Sequence, residues 1–374
     1  MLLTATALSA LLWLTVLVLP WRPWSTREEL RIDAAAGPVD LSDVTVLIPA
    51  RDEASCIATT LHALAAQGNI AKIVLVDDQS EDGTGETARG LGLANLVVVD
   101  GAALPAGWSG KLWALHQASS QVETPYTLLL DADIELSPQA LGALKTHMTD
   151  KLLALASVMA SLHMGNAWEK LLLPPFIYFF KLIYPFALSN RQRSPIAAAA
   201  GGCVLLRTDA LHAIGGFESL RDAIIDDCTL AQRVKRHGGR TWIGLSRAVR
   251  AVRPYGTLAN IWNMVARTAF TQLRYSNLLL GVCSLMLGLS FIVPLLGLFS
   301  GTAPSVAAAA VALVAMSLSY RPTVRYYDLH PLWIATLSLA ACLFLAMTWT
   351  SAWRYWCGER SRWKRRSYDK IAAR

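Results

Sequence analysis

Three blocks of this chain carry no Asp, Glu, Lys or Arg, and they limit what it can fold into. They are Met1–Trp21, Asn277–Tyr320 and Pro331–Trp353. A helix that crosses a bilayer needs roughly 20 apolar residues. The first and last blocks each match one span, and the middle block matches two, hinged near Ser300-Gly301-Thr302-Ala303-Pro304. The first block has no basic start, and Arg22, Arg27 and Arg31 follow it. That pattern reads as a retained anchor with its basic flank in the cytoplasm, not as a cleaved leader. Ala34-Ala35-Ala36 imitates a cleavage site but lies well beyond the apolar core. Four spans place Thr26–Gln272, Arg321 and Arg325 on the inner side. They also place the C-terminal tail outside, against the positive-inside bias, because that tail is basic.

The net charge is +7, and the tail Trp353–Arg374 holds eight Lys or Arg and two acids, a net of +6. The rest of the chain is nearly neutral, which argues against nucleic acid as a partner. A basic run beside a span suits anionic headgroups, or serves only to set topology. The six cysteines show no CxxC spacing, so neither a zinc site nor a disulfide framework is expected.

Between the anchors, residues 40–250 read as one α/β domain. Val44–Pro49, Ile73–Val76, Val97–Val99 and Tyr126–Leu130 are short apolar runs of the kind that form buried strands. Ile57, Leu61, Leu64 and Ala65 recur at helical spacing between the first two. Strands alternating with helices predict a mostly parallel sheet with right-handed crossovers. Gly83-Thr84-Gly85-Glu86-Thr87-Ala88 matches GxGxxA but stands too far from its strand for a dinucleotide turn. Gly110-Lys111 lacks the earlier glycine and the following Ser or Thr of a P-loop. Leu171–Leu188 is apolar and aromatic but holds Lys181, Pro174, Pro175 and Pro185, so an interfacial segment is expected there rather than a clean span.

Acids punctuate these runs at Asp77-Asp78, Asp131-Ala132-Asp133 and Asp226-Asp227. Open α/β sheets bind ligands at the carboxyl ends of their strands, so the first two clusters are expected to line one crevice. Asp131-x-Asp133 offers carboxylate oxygens to a hard divalent cation that also takes phosphate oxygens. Asp78 can accept hydrogen bonds from a base or ribose; it is equally a turn or cap residue. Asp226-Asp227 starts a helical run through Arg236, where it serves as a cap or as a general base. Arg267 and Arg274 lie seven apart on an expected helix near 257–276 and would share a face. They and Lys111 read either as diphosphate partners or as ordinary surface cations.

Ile48-Pro49-Ala50-Arg51-Asp52-Glu53, Val76–Thr84 and Asp131-Ala132-Asp133 resemble the family 2 glycosyltransferases of GT-A fold. More narrowly, Leu104–Ala114, Pro175–Phe186, Ala197–Cys203, Ile225–Ala231 and Met264–Ser276 resemble the hopene-associated glycosyltransferases; ceramide glucosyltransferases are the functional analogue. The resemblance covers about residues 40 to 300. It implies a nucleotide-sugar donor held by Pro49, Arg51, Glu53 and Asp78. It further implies Asp131 near the ribose and metal, Asp133 on Mg²⁺ or Mn²⁺, and Asp227 or Asp226 as base of an inverting displacement. Membrane members carry a Q/RxxRW motif. Here Thr271-Gln272-Leu273-Arg274-Tyr275 departs at its first and last positions, which favours a single transfer to a lipid over processive polymer synthesis.

The expected protein is a multi-pass enzyme of the bacterial cytoplasmic membrane. Its fold is an α/β GT-A domain with N-terminal and C-terminal transmembrane helices, about three of them within 277–353, and a basic tail over 354–374. The domain faces the cytoplasm and glycosylates a lipid acceptor, with hopanoid as one candidate. A polysaccharide synthase and a non-catalytic membrane scaffold are the competing readings. A transporter is a weaker one, since no span holds an ionisable residue.

Overall fold

Continuous apolar runs suit strands buried on both faces, as in a parallel sheet, and here they are. The computed structural model describes residues 1–33, 37–363 and 366–369. Ala34-Ala35-Ala36 and the tail residues 364, 365 and 370–374 lie outside the described residues. In chain order the elements begin with α1 (Leu2–Val18), β1 (Val44–Ala50), α2 (Ala54–Ala65), β2 (Lys72–Asp77), α3 (Thr84–Gly90) and β3 (Leu96–Asp100). They continue with α4 (Gly110–Ser119), β4 (Tyr126–Leu130), β5 (Ile134–Leu136), α5 (Ala140–Asp150) and β6 (Leu155–Ser161). Next come α6 (Ala167–Ile183), α7 (Phe186–Ser189), β7 (Cys203–Arg207), α8 (Thr208–Ala213), α9 (Asp226–Arg236) and β8 (Thr241–Ala251). The remainder is helical: α10 (Leu258–Gln272), α11 (Asn277–Leu287), α12 (Val293–Gly297), α13 (Ala303–Tyr326) and α14 (Leu337–Trp356), then a hairpin of β9 (Glu359–Trp363) and β10 (Arg366–Asp369).

The chain divides into two units. The α/β unit is Glu28–His163 with Leu188–Pro254. Its eight strands run β3-β2-β1-β4-β7-β6-β8-β5. β3, β2, β1 and β4 are mutually parallel, and β6 runs parallel to β8. β7 is antiparallel to both its neighbours, and β5 is antiparallel to β8. The four parallel strands therefore end along one edge, with Ala50 opposite Asp77 and Asp77 opposite Asp100.

One break in the ladder opens the sheet at that edge. β1 pairs with β4 from Val44↔Tyr126 to Leu47↔Leu129 and no further. Pro49 comes two residues later, and proline has no N–H to give a neighbouring strand. The ladder stops where the sequence removes its donor.

The helical unit is Met1–Arg27, Met164–Ala187 and the chain from Tyr255 onward. Three of its helical stretches are long and apolar enough to cross a membrane: Asn277–Gly297, Ala303–Tyr326 and Pro331–Trp356. α1 is a shorter apolar helix of 17 residues. Leu171–Leu188, expected as an interfacial segment, falls almost wholly within Met164–Ala187 of the helical unit. Its rings explain why. Phe179 meets Phe344 and Phe291 edge-on at 5.3 and 5.7 Å, and Tyr178 meets Tyr320 at 5.2 Å. α6 runs unbroken through Pro174 and Pro175, and a reciprocal capping box of Asn166 and Glu169 starts it.

A five-residue π-helical turn, Gly288–Ile292, separates α11 from α12. Pro294 lacks the N–H that would bond the Ser290 carbonyl four residues back. The Trp13 indole N–H donates to that carbonyl at 2.8 Å in a buried position. Trp13→Phe is expected to leave the carbonyl unpaired and to destabilise the helical unit by about 1–3 kcal/mol. Thermal unfolding in detergent checks it; an unchanged melting temperature would contradict the role.

Candidate functional site

The first wall of the site is the end of β1. Arg51, Asp52 and Glu53 turn out of the strand, with Asp52 in the left-handed region at φ 51°. Asp is among the few non-glycine residues that tolerate this. The facing turn after β2 holds the loop in place. Asp52 N–H donates to Ser80 Oγ at 3.0 Å, Glu53 N–H to Thr84 Oγ1 at 2.8 Å, and Ala54 N–H to Asp82 Oδ2 at 2.9 Å. Arg51 Nη1 reaches the Asp78 carbonyl at 2.5 Å. Asp78 itself is fully buried and its N–H continues the ladder to Ala50 O at 2.8 Å. Asp77 closes the turn by accepting from Ser80 N–H at 3.0 Å.

Gly101 packs against this pair. A Cβ there would stand 2.8 Å from the Asp77 carbonyl oxygen and 3.1 Å from Asp78 Cα. Backbone atoms cannot swing aside, so Gly101→Ala is expected to shift Asp77-Asp78. Overpacking of this kind costs about 1–3 kcal/mol. Chemical denaturation together with the donor KM checks this, and wild-type values for both would contradict it.

The second wall is the end of β4 with the start of α4 and α9. Asp131 follows Leu130, and its N–H bonds to Gly202 O at 3.0 Å. Lys111, in the first turn of α4, places Nζ 2.7 Å from Asp131 Oδ1 and 3.8 Å from Asp226 Oδ2. Asp227 accepts from Gly201 N–H at 2.9 Å through Oδ2 and from Cys228 N–H at 2.7 Å through Oδ1. Pro49, Lys111, Asp131, Gly201, Asp226 and Asp227 line one shallow pocket together with the apolar Leu112, Leu129, Val204 and Leu230.

The electrostatics follow from crowding three carboxylates round one ammonium. Burial, then the charge of Asp226, pushes Asp227 up to about 6; Lys111 and the two N–H donors pull it partly back. Burial pulls Lys111 down, but Asp131, Asp226 and Asp227 outweigh it and its pKa ends above the usual lysine value. Lys111 is thus a partner of the acids, where the sequence left it between a diphosphate partner and a surface cation.

Asp133 points to another neighbour. Val252 N–H bonds to the Asp133 carbonyl at 2.9 Å, extending the β5–β8 pairing. The next residue, Arg253, lies 3.7 Å from Asp133 Oδ2 and in contact with Glu53. Among the described residues, no three Asp, Glu, His or Cys side chains gather to form a closed metal cage. Magnesium-like ions are commonly held by one or two carboxylates and completed by phosphate oxygens. In this structure Asp131 meets Lys111 and Asp133 meets Arg253, so each carboxylate faces a cationic side chain.

Arg267 and Arg274 belong to the helical unit. Arg267 lies on α10, which ends at Gln272, and Arg274 lies beyond it at φ 53°. The expected common helix face is therefore absent. Tyr275 follows in the same left-handed turn and stacks on Tyr355 at 4.3 Å, which ends the helix early.

Two contributors escaped the sequence. Gly201 comes from a run of small residues, Ala197–Gly202, and a Cβ on it would lie 3.2 Å from Lys111 Nζ and 3.3 Å from Asp227 Oδ2. Such a run signals close backbone approach, so it was findable. Arg253 carries no local signal, because only the β5–β8 pairing brings it to Asp133.

With the geometry in view, comparison with known proteins is specific. The family described as "Glycosyltransferase like family 2" matches residues 42–271. Over 94 residues the chain is 32% identical to the 4,4'-diaponeurosporenoate glycosyltransferase of Staphylococcus haemolyticus (strain JCSC1435), a stretch covering 25% of each protein. The counterpart of Staphylococcus aureus (strain bovine RF122 / ET3-1) is 33% identical over 91 residues, 24% of each. The match thus spans about a quarter of these relatives. A mannosyltransferase from Pyrobaculum calidifontis, solved with GDP-Man and Mn²⁺, superposes with a TM-score of 0.52 at 18% identity. That superposition covers 91% of this chain and 96% of that one. At such identity the likeness shows the fold.

Proposed function

The chain belongs to glycosyltransferase family 2, and on that premise we propose that it transfers one sugar from a nucleotide-sugar donor to a hydroxyl of a membrane lipid, with inversion. The observation that carries the reading is the meeting of Asp131, Asp226 and Asp227 around Lys111 at the open edge of the parallel sheet. Pro49, Arg51, Glu53 and Asp78 hold the nucleotide; the rigid turn pair at the ends of β1 and β2 supports this. Asp227 accepts the acceptor's proton, kept in orientation by the Gly201 and Cys228 N–H groups, while Asp226 raises its basicity. Lys111 holds Asp131 and tempers the clustered negative charge. Arg267 and Arg274 are proposed to meet phosphate. Asp133 and Asp131 would hold Mg²⁺ or Mn²⁺, which when bound supplies charge neutralisation for the departing diphosphate.

A lipid acceptor is supported by the apolar helices and by relatives named for a carotenoid acid. Hopanoid remains one candidate acceptor within that class. We place the enzyme in the bacterial cytoplasmic membrane with the α/β unit on the cytoplasmic side, on the flanking Arg22, Arg27 and Arg31.

Asp133→Ala is expected to lose stimulation by Mg²⁺ or Mn²⁺. Equal wild-type activity with and without chelator would contradict the metal assignment. A screen of nucleotide sugars against membrane lipids, read by mass spectrometry, tests the reaction class. A glycosylated lipid is expected; release of free sugar alone, with every lipid unchanged, would overturn it.

A further inference from the structure

The near-neutral sum of charge outside the tail conceals a local concentration. The loop Asn190–Ser194 is clamped to the end of α9 and the start of β8. Gln192 Nε2 donates to Gly238 O at 3.0 Å, and Asn190 exchanges bonds of 3.0 and 2.7 Å with Ile243. Lys235 Nζ donates to the carbonyls of Ser189 and Ile196, each at 2.6 Å. These bonds gather Arg191, Arg193, Arg236 and Arg240, all exposed.

The four differ from several arginines of the same unit. Arg31, Arg89 and Arg207 each sit against a nearby Asp or Glu. Among the described residues, none of the four makes an ion pair. Sequence neighbours supply no acid: no Asp or Glu occurs from Leu188 to Leu206 or from Cys228 to Tyr327. The patch is also separate from the acidic cluster. Asp227 lies in the first turn of α9 and Arg236 at its end, about 14 Å apart by helix rise.

We infer that Arg191, Arg193, Arg236 and Arg240 form a docking surface for the headgroups of anionic lipids. The chain itself favours this partner. Arg191 follows closely in sequence after α6, the aromatic helix of the apolar unit, and basic clusters next to membrane-associated helices meet anionic lipid. Neither basic segment contains a Phe, Tyr or Trp before the buried Trp242, and His237 is the one ring among them, so the patch lacks the run of stacking platforms that single-stranded nucleic acid uses. The inference rests on the apolar helices spanning a bilayer, and it does not depend on the transferase reaction.

The test is hydrogen exchange on the full chain in nanodiscs of phosphatidylcholine, with and without phosphatidylglycerol. Amides of 188–196 and 236–241 are expected to exchange roughly tenfold more slowly with phosphatidylglycerol present, since each headgroup-facing arginine contributes appreciably. High salt should erase that protection. The R191Q/R193Q/R236Q/R240Q variant should lack it, and the matching four-lysine variant should keep it. If the glutamine variant exchanges faster throughout β1–β4, it has unfolded and the lysine variant decides. Equal exchange in the two lipids overturns the inference, as does a lysine variant blind to phosphatidylglycerol. Protection by added RNA or acidic polypeptide, with none from phosphatidylglycerol, overturns it in favour of that partner.

Discussion

Asp227→Asn is expected to lower the transfer rate about 10²–10⁴-fold, the usual contribution of a general base, with little change in the donor KM. The amide has almost the same shape, so lost proton acceptance and lost packing can be told apart. The sign of the pH dependence follows from the environment. Burial and the charge of Asp226 hold the Asp227 carboxyl at about 6. A base must be unprotonated to act, so wild-type activity should fall as pH drops through about 6. Asp227→Asn should abolish that limb. Asp226→Asn should move it to lower pH, because a repelling charge has gone; the two acids titrate together, so the shift belongs to the pair. The size of the loss also reports on the acceptor. A hydroxyl must surrender its proton, whereas a carboxylic acid acceptor is already ionised at neutral pH. A small loss in Asp227→Asn would therefore contradict transfer to a hydroxyl with Asp227 as its base.

Lys111→Met is expected to destabilise the α/β unit by about 3 kcal/mol, near the lower end of what breaking a buried ion pair costs. The lower end applies because the lysine side chain keeps 21% of its exposure and Asp131 keeps 36%. The same substitution should move the acid limb of the pH profile upward, since Lys111 is one of the groups pulling Asp227 down. Lys111→Arg keeps the charge and should restore most of both properties. Denaturant unfolding and a pH–rate series read the two effects separately. Wild-type stability with an unmoved limb would show that Lys111 does not balance the acids.

The half of the sheet that builds the cleft was legible for a physical reason. β1, β2 and β4 are parallel and buried on both faces, so each is written as an unbroken apolar run ending in polar residues. Parallel neighbours end together, which is why Asp77 and Asp131 could be placed on one edge before any coordinates. The other half is mixed: β6 and β8 pair parallel, while β7 and β5 run antiparallel to their neighbours. β5 has three residues, and nothing local announces that it pairs with β8 and carries Arg253 to Asp133. The balance of charge around Lys111 was hidden for the same reason, because three separate segments supply it. For α6, sequence alone separates an interfacial helix from a core helix poorly, because an aromatic helix looks alike whether a sheet or other helices bury it. Arg274 was lost to a turn just past Gln272, and helix ends depend on caps and neighbours more than on periodicity.

The most direct measurement is the structure of the product. Purified protein in nanodiscs would be given an α-linked nucleotide sugar and its lipid acceptor, and the isolated product analysed by NMR. The account predicts one sugar per lipid, joined with inverted anomeric configuration, and no such product from Asp227→Asn. A sugar polymer, a retained configuration or full product yield from Asp227→Asn would contradict it.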